Sequence, residues 1–148
     1  MTETTSAQEI EITRVYEAPR ELVWRAWTEP EELVHWWGPS GWSTALDTVT
    51  MEVRPGGSFR LTSVSDEGDE MPVAGVYREV VEPERLVLEE PPENSWHEGS
   101  VSVVTFTDLG DGRTEVALRA TIQTTDEMRV AAERGMNGTF DRLGEHLV

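Results

Sequence analysis

The stretch HWWGPSGW, residues 35–42, holds three of the chain's six tryptophans together with two glycines and a proline. Tryptophan is costly to leave in water, and Gly-Pro-Ser-Gly does not form regular structure. The stretch is therefore either a platform for a ligand or a bend that closes a fold. Its tryptophans stand at a helix end and a bend rather than in a flat row, which favours the bend. We expect one of Trp36 and Trp37 to pack at the junction of helix and sheet and the other to border a cavity, while Trp42 anchors the next strand.

A strand and two short helices are predicted before this bend. Residues 10–18, IEITRVYEA, alternate apolar and polar side chains, which indicates a half-buried strand. The spacing then becomes helical, with one apolar stripe formed by Leu22, Val23, Ala26 and Trp27. A second helix follows Pro30 and ends by Trp37, because the Gly-Pro dipeptide after it cannot continue a helix.

The region after the bend, from Ser43 to Ile122, reads as one strand after another. Turns such as RPGG and GDG separate the strands, and such short turns join antiparallel neighbours. In the last strand the apolar residues share one face, which is therefore buried while the opposite face is wet: Val116, Leu118, Ala120 and Ile122.

A long amphipathic helix is predicted over about residues 125–147. Its apolar residues recur at steps of three to four and place one stripe against the sheet. We expect Thr124 and Glu127 to form its N-terminal capping box. Gly135 and Gly138 lie inside the helix, where each costs about 1 kcal/mol relative to alanine. This cost indicates that the backbone passes close to a neighbour there, or that side chains must leave space.

Together these elements predict an α+β fold: a curved antiparallel sheet of about seven strands packed on a long C-terminal helix, with two short helices after the first strand. We expect a disordered N-terminus over residues 1–8 and a single domain over residues 9–148. A curved sheet that grips a helix leaves a gap between them, where a small molecule can bind.

The composition excludes several classes of protein. The chain has no cysteine, so disulfides, cysteine-based zinc sites and thiol nucleophiles are excluded. The formal net charge is −17 and every basic residue is an arginine, so nucleic acid and anionic membranes are repelled. The N-terminal residues do not resemble a signal peptide, and no window is apolar enough to cross a bilayer. We therefore expect a cytoplasmic protein without membrane insertion.

Motifs for catalysis are scarce in this sequence. It has no glycine-rich phosphate loop, no His-Glu-x-x-His and no Gly-x-Ser-x-Gly, so we predict no catalytic residue, metal or cofactor. His97 stays open, because a loop at a cavity mouth could place it as a general base near neutral pH. His35 is expected to be solvated and His146 partly exposed. The strand arginines are expected on the wet face, although an inward one would bind a carboxylate or enolate oxygen: Arg60, Arg78 and Arg119.

Several segments occur in an order that marks a known family, and they cover the chain from Ile10 to Leu147. They include APRELVWRAWTEPEELVHWWGPSGW, RPGGSFR, GVYREVVEPERLVLEE, VTFTDLGDGRTEVAL and GMNGTFDRLGEHL. Together they resemble the START-like, or helix-grip, superfamily, and within it the bacterial branch related to activators of heat-shock-protein ATPases. The resemblance implies a cavity of variable lining. Members of the superfamily bind lipids, sterols, hormones or polyketides, and some catalyse reactions or assist chaperones.

The chain departs from this family in its last helix. Relatives usually have Gly-Trp where this chain has Gly135-Met136, and Phe140 replaces a leucine. A flexible thioether in place of a rigid indole reshapes the wall of a pocket, so the ligand of a relative cannot be carried over. We predict a ligand pocket lined by Trp37, Phe59, Tyr77, Trp96, His97, Leu118, Met136 and Phe140.

Three functions follow from these observations. The first is a protein that binds a small apolar or aromatic molecule between the sheet and the C-terminal helix. The second is an enzyme of the polyketide cyclase or aromatase type, which requires a polar group inside the cavity. The third is a cofactor of a chaperone ATPase that acts through its surface. A homodimer is also open, because edge strands and exposed tryptophans need cover.

Overall fold

The computed structural model describes residues 4–92 and 97–147 of the chain. In this part of the chain, eight strands and three α-helices follow one another in the predicted order. They are β1 (Ser6–Tyr16), α1 (Arg20–Thr28), α2 (Pro30–Leu33), β2 (Trp42–Thr44), β3 (Thr50–Met51), β4 (Ser58–Ser65), β5 (Glu70–Val81), β6 (Arg85–Glu90), β7 (Ser100–Gly110), β8 (Arg113–Thr124) and α3 (Asp126–His146).

All strands belong to one antiparallel sheet in the order β1-β8-β7-β6-β5-β4-β2, with β3 paired to β4. The sheet curls into a half-barrel around α3, so the predicted helix-grip architecture is confirmed. β1 begins at Ser6, which pairs with Thr124, whereas the N-terminus was predicted to be disordered through residue 8. Strand pairing uses the backbone, so the polar side chains of residues 6–8 do not prevent it.

The HWWGPSGW stretch is a bend between α2 and β2, as predicted. Gly38 and Gly41 have φ of 97° and 90°, a region that favours glycine. Trp36 is fully buried and donates a hydrogen bond from Nε1 to the carbonyl oxygen of Ala26 at 3.0 Å. Trp37 is only half-buried, and Trp42 is the first residue of β2. The bend therefore ties the first helices to the sheet through one wholly enclosed indole.

The start of α3 differs from the prediction by one residue. Thr125, not Thr124, is the N-cap, and its hydroxyl accepts a hydrogen bond from the Met128 N–H at 3.2 Å. Thr124 is the last residue of β8 and is buried. The predicted capping box of Thr124 and Glu127 is therefore wrong, because strand pairing holds Thr124 in the sheet.

The helix glycines also differ from what their cost suggested. A Cβ built on Gly135 meets nothing within 4 Å, and one on Gly138 makes only an ordinary contact, 3.8 Å from Pro39. The close approach is at Gly144, where a Cβ would lie 3.3 Å from the Tyr16 ring. The expected close passage is therefore absent at Gly135 and is found about two and a half turns further along the helix.

Candidate functional site

The concave side of the sheet carries alternating buried and half-buried apolar residues over β4–β6. Leu61 pairs with Val73, and Tyr77 pairs with Leu88, so each pair points to the same face. Leu61 and Tyr77 are buried, but their partners Val73 and Leu88 are only half-buried. Burial raises the pKa of Tyr77 well above its usual value. On this face, packed side chains therefore alternate with side chains that are partly open to solvent.

The position of the helices explains this difference in burial. α3 packs against β1 and β8, and α1 packs against β7 and β8, so both lie over the same end of the sheet. No helix of the described chain covers β4–β6 to the same extent. Apolar side chains of the sheet remain half-buried here at the edge of the core: Met51, Val73 and Leu88. Met136 of α3 is half-buried against the same cluster.

Six of the eight residues predicted to line a pocket belong to the hydrophobic cluster on this concave side: Trp37, Phe59, Tyr77, Leu118, Met136 and Phe140. The ring centroids of Phe59 and Tyr77 lie 5.4 Å apart, and those of Phe140 and Trp27 lie 5.9 Å apart. Trp96 lies outside the described residues. The predicted pocket stays a prediction, but most of its residues lie in one cluster.

His97 is buried outside that cluster, beside the end of β6. Its side chain is 3% exposed, and its Nε2 lies 3.4 Å from Oε1 of Glu90. Its Nδ1 accepts a hydrogen bond from the Gly99 N–H at 2.9 Å. Since the lone pair of Nδ1 is used in this way, the proton of the neutral ring lies on Nε2 and points to Glu90. His97 therefore holds a carboxylate and does not face solvent from a loop.

The three strand arginines are exposed on the convex face, as predicted: Arg60, Arg78 and Arg119. Arg119 lies 2.8 Å from Glu11, and Arg78 lies 3.6 Å from Glu89. These ion pairs are solvent-exposed and contribute little to stability.

An arginine that sequence reasoning missed does point to the concave side. Arg14 follows Ile10 and Ile12 in the apolar phase of β1, and this phase was the signal that could have identified it. Its Nη1 lies 2.7 Å from Oδ1 of Asp141, and its Nη2 lies 3.0 Å from Oδ1 of Asn137. Arg14 therefore joins β1 to α3.

The other two histidines form a pair at the surface. The His35 and His146 rings stack with their centroids 5.2 Å apart, and Nε2 of His146 lies 2.9 Å from Oε1 of Glu32. His35 is exposed and His146 half-buried, as predicted. No group of three acidic or histidine side chains in the described chain is arranged to hold a metal ion.

Two surface grooves lie elsewhere on the molecule. One, of about 420 Å³, lies between α1 and the turn at Glu82-Pro83. The other, of about 470 Å³, lies between the bend and α3, where Arg142 and Asp141 line it. None of the predicted pocket residues lines either groove. No helix in the described chain is long and apolar enough to span a membrane.

The curled sheet gripping a C-terminal helix defines a START-like protein. Residues 17–148 match the family described as Activator of Hsp90 ATPase homolog 1-like protein, and the chain belongs to this family. The resemblance expected from the sequence is thus confirmed. No match among curated proteins reaches significance.

Solved structures show the same fold over nearly the whole chain. A protein from Nitrosomonas europaea is 26% identical, with 94% of this chain and 93% of that chain covered and a TM-score of 0.77. A protein from Chromobacterium violaceum is 22% identical, with coverage of 94% and 96% and a TM-score of 0.80. The AHSA1 protein from Silicibacter pomeroyi is 19% identical, with coverage of 95% and 97% and a TM-score of 0.81.

Proposed function

We propose that this protein binds a small apolar or aromatic molecule on the concave side of β4–β6, beside α3. The observation that carries the proposal is the set of half-buried apolar side chains at this edge of the core: Met51, Val73 and Leu88 on the sheet, and Met136 on α3. A ligand that covers such a side chain removes its remaining apolar surface from water, which contributes roughly 1 kcal/mol for each. Phe59 pairs with Met51 and Tyr77 pairs with Leu88, so both rings lie beside these side chains and favour an aromatic ligand.

A neutral fluorescent probe, N-phenyl-1-naphthylamine, tests the proposal without the repulsion that an anionic dye would meet on a chain of net charge −17. We expect saturable binding, seen as probe fluorescence and as a rise in the melting temperature with probe concentration. Val73→Asn places an amide among the half-buried apolar side chains and should weaken binding about tenfold, because its polar group loses water without gaining a partner.

Val76→Asn is the matched control, since Val76 lies on the same strand but on the convex face and is 39% exposed. This variant should bind the probe with unchanged affinity. Equal loss in both variants, or no saturable binding to the native protein, would contradict the proposal.

The predicted partners follow from the same charge and composition. We include in the proposal that the ligand is not a nucleic acid, because a net charge of −17 opposes binding to phosphates. Action in the cytoplasm without membrane insertion is part of the same proposal. Homodimer formation, cyclase activity and chaperone assistance stay predictions, and only the cyclase alternative has a structural candidate, the pair of Glu90 and His97.

A further inference from the structure

The concave side of β4–β6 has one ionisable carboxylate in the described chain, and on this face of β6 it follows directly after Leu88. Glu90 alternates with Leu86 and Leu88 along β6, so its side chain points to the concave face. Its neighbour Glu89 points to the convex face, where it pairs with Arg78. A charged group at the edge of an apolar surface is costly unless it binds something.

Glu90 lies beside the aromatic residues of the proposed site. Gly75 and Glu90 come one residue beyond the Val76–Glu89 pair, and Phe59 pairs with Gly75. The Phe59 ring lies over Gly75, since a Cβ there would come 2.6 Å from Cζ of that ring. A ligand that stacks on the Phe59 ring, over Gly75 of β5, therefore has the Glu90 carboxylate on the neighbouring strand, β6.

The Glu90 carboxylate is bound by one side chain and keeps unused hydrogen-bond acceptor capacity. Its side chain is 24% exposed, and its hydrogen bond to a protein group in the described chain is the one from Nε2 of His97 to Oε1, at 3.4 Å. His97 is fixed in turn by the Gly99 N–H on its Nδ1. A carboxylate has acceptor capacity for about four hydrogen bonds, so most of it stays available on the concave side.

We propose that Glu90, positioned by His97, recognises a protonated amine on the ligand of the concave face, so that the ligand is an apolar molecule carrying one amine. The inference rests on the proposed function. A carboxylate accepts but cannot donate, and its strongest partner is a cationic donor. The net charge of −17 also attracts cations and repels anions. His97 is a positioning residue here, because it acts through Glu90.

Three naphthalene probes with the same ring test the inference: 1-naphthylmethylamine, 1-naphthalenemethanol and 1-naphthoic acid. Binding is measured by calorimetry at about 0.15 M salt, where attraction beyond about 8 Å is screened. We expect the amine to bind the native protein about tenfold more tightly than the alcohol, and the acid to bind most weakly. Glu90→Gln should remove the preference for the amine while leaving the affinity for the alcohol within about twofold.

Glu89→Gln is the matched control, because it removes the same charge from the adjacent residue on the opposite face. It should keep the preference for the amine. A preference that survives in Glu90→Gln, or that falls equally in Glu89→Gln, would overturn the inference and assign the effect to the general charge of the protein. Circular dichroism and melting temperature report whether each variant is folded.

The role of His97 is tested by the ratio of the two affinities. His97→Leu should lower the preference for the amine without weakening the alcohol, and His97→Gln, which keeps a donor for Glu90, should restore it. A purely structural role would weaken both probes equally in His97→Leu and leave the ratio unchanged, which would overturn the positioning role.

If the alcohol binds in a Val73-dependent manner but the amine binds no better, this inference fails and the proposed function stands. If no probe binds, both fail.

Discussion

Nη1 of Arg142, on α3, lies 2.7 Å from the carbonyl oxygen of Gly38, in the middle of the bend. The same nitrogen lies 3.1 Å from the carbonyl oxygen of Trp42. An irregular bend cannot pair its own carbonyls as a helix or strand does, and a guanidinium supplies donors for several of them at once. The C-terminal helix therefore fixes the bend that follows α2, across 104 residues of sequence.

Replacing Arg142 should destabilise the fold by loosening this bend. We expect Arg142→Met to lower the free energy of unfolding by about 2 kcal/mol, because hydrogen bonds from a charged donor to half-buried carbonyls are lost. Urea unfolding measures the change. Arg134→Met, an exposed position on the same helix, should change stability by less than about 0.5 kcal/mol. Similar losses in both variants would show that the bend does not depend on Arg142.

Alkaline pH should destabilise the protein through its two tyrosines. Burial raises the pKa of Tyr16 to about 12 and raises that of Tyr77 further. The unfolded chain loses these phenol protons near pH 10, before the folded protein does. The tyrosines therefore leave the free energy of unfolding unchanged below about pH 10 and lower it as pH rises above that value. The chain has no lysine or cysteine to titrate in the same range.

Urea unfolding between about pH 8 and pH 12, with tyrosinate absorbance recorded in parallel, measures this effect. Tyr16→Phe should show a shallower decline and, near neutral pH, a loss of about 1 kcal/mol, because the Tyr16 hydroxyl donates to the Phe140 carbonyl oxygen at 2.9 Å. Ionisation of both tyrosines near pH 10 in the folded protein would contradict the prediction.

Two neighbouring tryptophans should respond differently to the same substitution. Trp27 and Trp36 are both buried and their rings lie 4.9 Å apart, but only Trp36 donates a hydrogen bond, to the Ala26 carbonyl oxygen. The Nε1 of Trp27 has no partner in the described chain. Trp36→Phe should therefore cost about 1–2 kcal/mol more than Trp27→Phe in thermal or urea unfolding. Equal costs would mean that cavity formation outweighs the hydrogen bond.

The helix glycines give a matched pair for stability. Gly135→Ala should stabilise the protein by up to about 1 kcal/mol, because the added methyl group meets no neighbour and alanine favours a helix. Gly144→Ala should not, since its Cβ would press on the Tyr16 ring, which the hydrogen bond to Phe140 holds in place. Thermal unfolding of the two variants compares them directly, and a stabilised Gly144→Ala would show that the Tyr16 ring can move aside.

Local patterns in the sequence were sufficient for the order of the elements and for most of their extents, although the stretch predicted as one strand after Trp42 is divided into β2 and β3. Alternation along the strands, helical spacing after Pro19 and the bend at HWWGPSGW each depend on near neighbours, and the structure has all three. The one-residue error at the start of α3 has the same origin. Thr124 and Thr125 are equivalent as N-caps, and only the pairing of Ser6 with Thr124 distinguishes them.

The candidate site was predictable only in part, because local patterns do not report contacts between residues on different elements. Phe59, Tyr77 and Leu118 were predicted to line one pocket, and they do share one cluster. Alternation assigned only Leu118 to the buried face, whereas the pairing of β4, β5 and β6 decides the face of Phe59 and Tyr77. Glu90 gave no signal, since an acidic residue at a strand end is ordinary in a chain with 29 acidic residues. Its contact with buried His97, seven residues further along the chain, has no counterpart in strand alternation.

The sequence by itself therefore determined the curved antiparallel sheet, its long C-terminal helix and the buried face of β8, because the periodicity of apolar residues depends only on neighbouring positions. Only the tertiary structure decided that Leu88 stays half-buried while Tyr77 opposite it is enclosed, and that Glu90 borders the same face. The physical reason is that burial is set by where α3 docks along the sheet. That position depends on contacts between residues more than 100 positions apart, such as Arg14 with Asp141 and Arg142 with Gly38.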